Sequence, residues 1–86
     1  MLYMIIEHFR DGEALPVYRR FRDQGRRAPE GLQNVASWVT NDLRQCFRVM
    51  ECEDPQLLAQ WMACWEDLID FEVLPVVTAA VIAPQL

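Results

Sequence analysis

Leu2-Tyr3-Met4-Ile5-Ile6-Glu7-His8-Phe9 is the stretch that decides the fold. Its β-branched and aromatic residues predict a strand, yet oily and polar residues do not alternate cleanly along it. A half-solvated antiparallel strand alternates, whereas a strand covered on both faces reads as a near-continuous apolar run. The stretch Phe71 to Ile82 alternates still less. Both strands ask for cover on two sides, and 86 residues supply only enough helix for one. The missing cover is expected from a second copy of the chain, so a homodimer through the open sheet face is predicted.

Outward from this strand, Asp11-Gly12 marks a turn. A helix begins near Leu15-Pro16, with proline in the first turn and Val17, Tyr18 and Phe21 forming its inward stripe after Ala14. Gly25 is its expected stop, and Arg26 to Gly31, with Pro29 inside, is a loop. Leu32 to Thr40 and Arg44 to Cys52 read as strands two and three. Asn41-Asp42 lies between them, and both residue types tolerate the positive φ of tight turns. Asp54-Pro55 pairs an N-cap acid with proline at the first helical position, opening a helix whose face carries Leu58, Trp61, Trp65 and Leu68. Phe71 to roughly Ile82 is the fourth strand, and Pro75 assigns it to a sheet edge or a bulge.

The order βαββαβ is the ferredoxin-like arrangement of the α+β class. Right-handed crossovers place both helices on one face of a four-stranded antiparallel sheet, with strands one and three central. Residues 1–86 form one domain, since so short a chain buries only roughly 60–65% of its unfolded surface and has no room for two cores.

Composition narrows the function classes. Cys46, Cys52 and Cys64 are an odd set without two-residue spacing, which reads as reduced thiols rather than a disulfide framework or zinc knuckle. His8 is the only histidine, so no metal site and no cofactor are expected. No apolar run approaches the roughly 20 residues of a membrane span, and the N-terminus lacks the pattern of a signal peptide. The cytoplasm is therefore the expected location, with no membrane partner. A net charge of −5 argues against nucleic acid. Every base is an arginine, which excludes lysine chemistry. Arg19, Arg20, Arg22, Arg26 and Arg27 crowd one stretch, while seven acids and no base follow from Glu51 onward. The two helices are therefore expected to match electrostatically across a solvated surface, with an anion site as the sharper alternative.

Strand parity sorts the candidates. Met4, Ile6 and His8 share one face of strand one, opposite Tyr3, Ile5, Glu7 and Phe9; in strand three Phe47, Val49 and Glu51 oppose Arg44, Cys46, Arg48 and Met50. A helix-covered face is expected to be dry, which assigns Met4, Ile6, Phe47 and Val49 to the helices. Glu7 and Arg48 then meet on the open face, among Tyr3, Ile5, Phe9, Cys46 and Met50. The candidate pocket is Tyr3, Glu7, His8, Trp38, Cys46 and Arg48. In it, Glu7 or His8 would accept a proton, Arg48 would orient an anionic or enolate group, and Tyr3 and Trp38 would be walls. Each has a plainer reading: His8 as a hydrogen-bonded rim residue, and Glu7–Arg48 as a pair fixing interface register. Trp61 and Trp65 read as core. Binding of a small molecule without catalysis is the favoured expectation; the alternative is a cofactor-independent monooxygenase- or isomerase-like enzyme using the same cavity.

Several segments together resemble a known family. They are Tyr18-Arg19-Arg20-Phe21, Pro29-Glu30-Gly31-Leu32, Arg44-Gln45-Cys46-Phe47, Met50-Glu51-Cys52 and Phe71-Glu72-Val73. On these the chain is similar, over nearly its whole length, to the bacterial domain of unknown function 3303. The resemblance implies the dimeric α+β barrel superfamily, in which two ferredoxin-like sheets pack face to face. That superfamily includes cofactor-independent monooxygenases, muconolactone isomerases, haem-binding relatives of chlorite dismutase and stress-responsive domains. None of their functional motifs maps onto residues of this sequence.

Overall fold

In the computed structural model, which describes residues 1–85, β1 spans Leu2–Phe9 as the sequence predicts. A single turn at Arg10–Gly12 leads to α1, Leu15–Gln24, which carries Pro16 in its first turn. The helix ends at Gly25, whose φ of 73° is costly for any residue with a Cβ and whose N–H donates to the Phe21 carbonyl. β2 is Gln33–Val39 and β3 is Gln45–Glu51. In the turn between them, Asp42 Oδ1 accepts from the Thr40 hydroxyl at 2.6 Å and from the Arg44 N–H at 3.0 Å. The positive φ falls on Leu43, at 61°, and not on Asn41 or Asp42. Asp42 serves this turn through its side chain instead.

α2 is Pro55–Ala63, and the Asp54 carboxylate caps it by accepting the Gln56 N–H at 2.9 Å. The helix expected to run through Leu68 stops at Ala63. Cys64 to Leu68 continues in tight turns, with Trp65 N–H donating to Met62 and Leu68 N–H to Trp65, which keeps Trp65 near the helical stripe. β4 is Ile69–Val76, starting two residues before Phe71 and ending well before Ile82. Ala79–Ile82 is instead a one-turn helix, α3. Pro75 weakens the strand near its end, and Ala79-Ala80 then favours helix over extension.

The sheet order is β2-β3-β1-β4, all antiparallel, so the fold is ferredoxin-like α+β with an edge strand carrying Pro75 opposite Tyr3. The central pair sets the register: Ile5 faces Arg48, Glu7 faces Cys46, and Ile6 faces Phe47.

Burial along β1 alternates strictly. Tyr3, Ile5, Glu7 and Phe9 are buried, and their neighbours Leu2, Met4, Ile6 and His8 are only half-buried. The buried set joins Cys46, Met50 and Ile69 of the sheet to Val17 of α1, to Leu58 and Trp61 of α2, and to Trp65. The helices therefore cover the face that carries Glu7 and Arg48, and the assignment made from dryness is reversed. A covered face admits charge when the two charges satisfy each other, and here they do. The open face is built of two adjacent cross-strand rows, Trp38–Phe47–Ile6–Glu72 and Ala36–Val49–Met4–Leu74. Trp38 is 58% and Leu74 51% exposed there. Apolar residues do occupy both sides of the strands; it is the identity of the open side that changes.

A charged cavity between the sheet and the helices

The inward face of the sheet and the two helices line a half-open cavity of about 260 Å³. Its floor is Glu7 and Phe9 of β1 with Cys46 and Arg48 of β3. Val17, Tyr18 and Phe21 come from α1, Trp61 from α2, and Trp65 from the turns after it. Helical spacing explains why Val17 and Phe21 lie on one wall and Trp61 and Trp65 on the other. Ser37 and Val39 border the cavity from exposed positions on β2. Phe9 and Tyr18 meet edge to face at 6.2 Å, and Trp61 packs similarly on Phe71 at 5.3 Å.

Glu7 is the charged centre of the floor, only 2% exposed. Its Oε2 accepts from Arg48 Nε at 2.6 Å. Arg48 Nη1 donates to Asn34 Oδ1 at 2.9 Å, Nη2 contacts Cys46 Sγ at 3.5 Å, and the guanidinium lies 5.7 Å above the Trp61 ring. Each nitrogen of Arg48 thus makes one contact, which leaves one N–H on each Nη without a partner among the described residues. Burial pushes the Glu7 carboxyl above its usual range, and the opposing pull of Arg48 is the smaller effect. Burial likewise raises the Cys46 thiol, which makes it a poor nucleophile at neutral pH, and raises the Tyr18 phenol.

Arg26 stands apart from the rest of the basic stretch. Its carbonyl accepts from Trp65 Nε1 at 2.9 Å, and its guanidinium lies 5.5 Å over the Phe21 ring at the cavity wall. Its Nε is buried without a hydrogen-bond partner, as is Trp61 Nε1. Burial first, and the Arg48 charge second, lower its affinity for a proton. Of the other arginines, Arg20 pairs with an acid in the turns after α2 and not in the helix itself, a bidentate pair with Asp67 at 2.7 Å for each bond. Arg22 pairs with its own neighbour Asp23.

Of the six residues predicted for a pocket, Glu7, Cys46 and Arg48 come together in the cavity. Tyr3 shares their face but lies outside the lining, with its hydroxyl directed to Met1 Sδ at 3.5 Å. His8 and Trp38 are on the opposite side of the sheet. There His8 Nε2 lies 2.7 Å from Glu72 Oε1, and Gln45 Nε2 lies 3.1 Å from His8 Nδ1. Parity alone separates His8 from Glu7, and Trp38 follows from its register with Phe47. The sequence reading missed Arg26, Tyr18 and Phe21 as cavity residues. The last two were visible as the inward stripe of α1, whereas nothing distinguishes Arg26 from the solvated arginines around it. Among the described residues, no group of three His, Cys, Asp or Glu side chains converges as a metal site would require. No described helix is long and apolar enough to cross a membrane.

The fold has a counterpart among solved structures. The crystal structure of protein Atu4242 from Agrobacterium tumefaciens is similar to 92% of this chain and over 96% of its own length, with a TM-score of 0.50 at 16% sequence identity. At that identity the likeness concerns the fold alone. No curated protein matches the chain. A family model matches residues 1–85, and the chain accordingly belongs to the family DUF3303, a domain of unknown function.

Proposed function

We propose that the chain is a homodimeric module that binds a small molecule in the cavity between its sheet and its helices. The cavity itself carries this reading: aromatic and aliphatic walls around a few convergent polar groups, namely Glu7, Arg48 and Arg26. Ligand sites combine these features, typically at about 300–1,000 Å³, and the space here is just below that range. A compact ligand is therefore favoured. The open face, with its two apolar rows, supports a second copy as partner, since exposed surface of that kind marks an interface. The three tryptophans report separately on these two sides. A metabolite screen by thermal shift, followed by indole N–H spectra, should yield ligands that move Trp61 and Trp65 but leave Trp38 in place. Ligands that move only Trp38 would place binding on the open face and defeat the proposal.

One observation favours chemistry at the same site. A carboxyl raised by burial and facing a cavity is suited to taking a proton from carbon, with Arg48 beside it to hold the resulting enolate. An isomerase-like or cofactor-independent oxidation would begin with that step. Deuterium uptake from heavy water into a bound ligand, abolished in Glu7→Gln, is its signature. A bound ligand that exchanges no carbon-bound hydrogen leaves the module without this activity.

A further inference from the structure

Charge and hydrogen-bond accounting in the cavity define what it is built to hold, given the small-molecule reading above. Glu7 and Arg48 neutralise each other. Arg26 remains, and among the described residues it has no ion pair and no side-chain hydrogen bond. The ionisable groups that bear on it are Arg48, Glu7 and Cys46. With the first two paired and the thiol kept neutral by burial, the site carries one uncompensated positive charge. Within these two lining residues, Arg26 Nε and Trp61 Nε1 are buried without acceptors. Buried donors are satisfied in the great majority of cases, so both residues carry unmet hydrogen-bonding capacity beside the cavity they help to line. A cation would meet repulsion from Arg26, and a fully apolar guest would leave the Arg26 charge without a counterion.

We propose that the cavity takes a flat organic monoanion of the aromatic carboxylate class, with its carboxylate on Arg26 and its ring between the aromatic walls. Phe9, Tyr18, Phe21, Trp61 and Trp65 supply ring faces and edges suited to a planar guest. The volume fits one ring with short substituents, since a cavity of roughly 150 Å³ already holds benzene. The guanidinium fork matches a carboxylate in two parallel hydrogen bonds, a geometry that an ammonium lacks.

Benzoate, benzamide and benzamidine are nearly isosteric and differ in charge, so they test the class directly. Titrated into the protein under indole N–H detection, benzoate should move Trp61 and Trp65 and not Trp38. It should bind about tenfold tighter than benzamide, and benzamidine should be weaker still. Arg26→Gln should erase the preference for benzoate, while Arg26→Lys should keep part of it. Equal binding of the neutral or cationic analogue, with the same indole shifts, would overturn the anion class and leave the small-molecule cavity standing. Full retention of the preference in Arg26→Gln would overturn the class in the same way. If none of the three moves Trp61 or Trp65, both the class and the cavity reading fall.

Discussion

Arg48 holds the one buried carboxylate of the inward sheet face, so the two ways of breaking the pair are unequal. Arg48→Met leaves Glu7 charged, nearly inaccessible and without a counterion, and should cost about 3 kcal/mol in urea unfolding. Adding Glu7→Gln should restore much of that loss, a coupling of about 1–3 kcal/mol in the double-mutant cycle. Independent, additive losses would mean that the pair does not act as a unit. The pH dependence has a definite sign. Because the Glu7 pKa is raised above 4.5 in the folded state, the native protein holds that proton more tightly than the unfolded chain does. Its contribution therefore declines as pH rises from 4.5 through the raised value, and Glu7→Gln should remove that decline from the unfolding profile. Asp67 works the other way: Arg20 lowers its pKa, so its contribution is present above 3.8 and fades as pH falls through the lowered value. Leu43 offers a separate gain. Its φ of 61° is strained for a leucine, so Leu43→Gly should stabilise by about 0.5–1 kcal/mol on thermal or chemical unfolding. The proximity of Glu7 and Arg48 was legible from parity and strand order. The role of Arg26 was not, because a loop arginine takes its direction from tertiary packing that no local pattern encodes.

At the level of elements, α2 and the turns after it carry most of the aromatic core. Trp61 and Trp65 are 2% and 3% exposed, and Trp61→Ala should cost about 3–5 kcal/mol. A melting temperature unchanged by that substitution would show that the indole contributes nothing to the core. The helix starts and the turn after β1 were readable because each has a local chemical cause: Asp54-Pro55 before α2, Pro16 in α1, Asp11-Gly12 after β1. The ends of α2 and β4 were harder. Cys64 to Leu68 keeps its apolar spacing while the backbone tightens out of α-helix, and periodicity does not register that change. The segment after Val76 is apolar enough to read as more strand, yet its alanines fold into α3. The two faces of the sheet were assigned in reverse for a related reason. Parity sorts residues into sets but does not say which set meets the helices, and dryness chose wrongly because an internally paired Glu7 and Arg48 can be covered.

For the whole molecule, the open face of the sheet is where the proposed second copy packs. Stable protein interfaces bury roughly 800 Å² on each partner. Light scattering behind a sizing column at micromolar concentration should therefore give twice the chain mass of 10.1 kDa. Trp38→Glu, at the exposed end of one apolar row, should shift the species to one chain mass without loss of the circular dichroism of the fold. A monodisperse wild-type protein of one chain mass would refute the proposed dimer. The apolar character of both faces of the strands was the most legible property of the sequence, because it rests on hydropathy summed over β1 and β4 and not on any one contact.

Arg20 reaches from α1 to the far side of the cavity. Besides its two bonds to Asp67, it donates to the Cys64 carbonyl at 3.2 Å and lies 5.6 Å over the Trp65 ring. One side chain thus ties α1 to the turns that carry Trp65. An exposed clasp of this kind adds little to equilibrium stability, on the order of 0–1 kcal/mol, and it loosens with added salt. Its consequence lies in residence time. For the ligand proposed above, raising ionic strength should quicken entry and escape together, so that exchange line-broadening at Trp65 narrows even where occupancy barely changes.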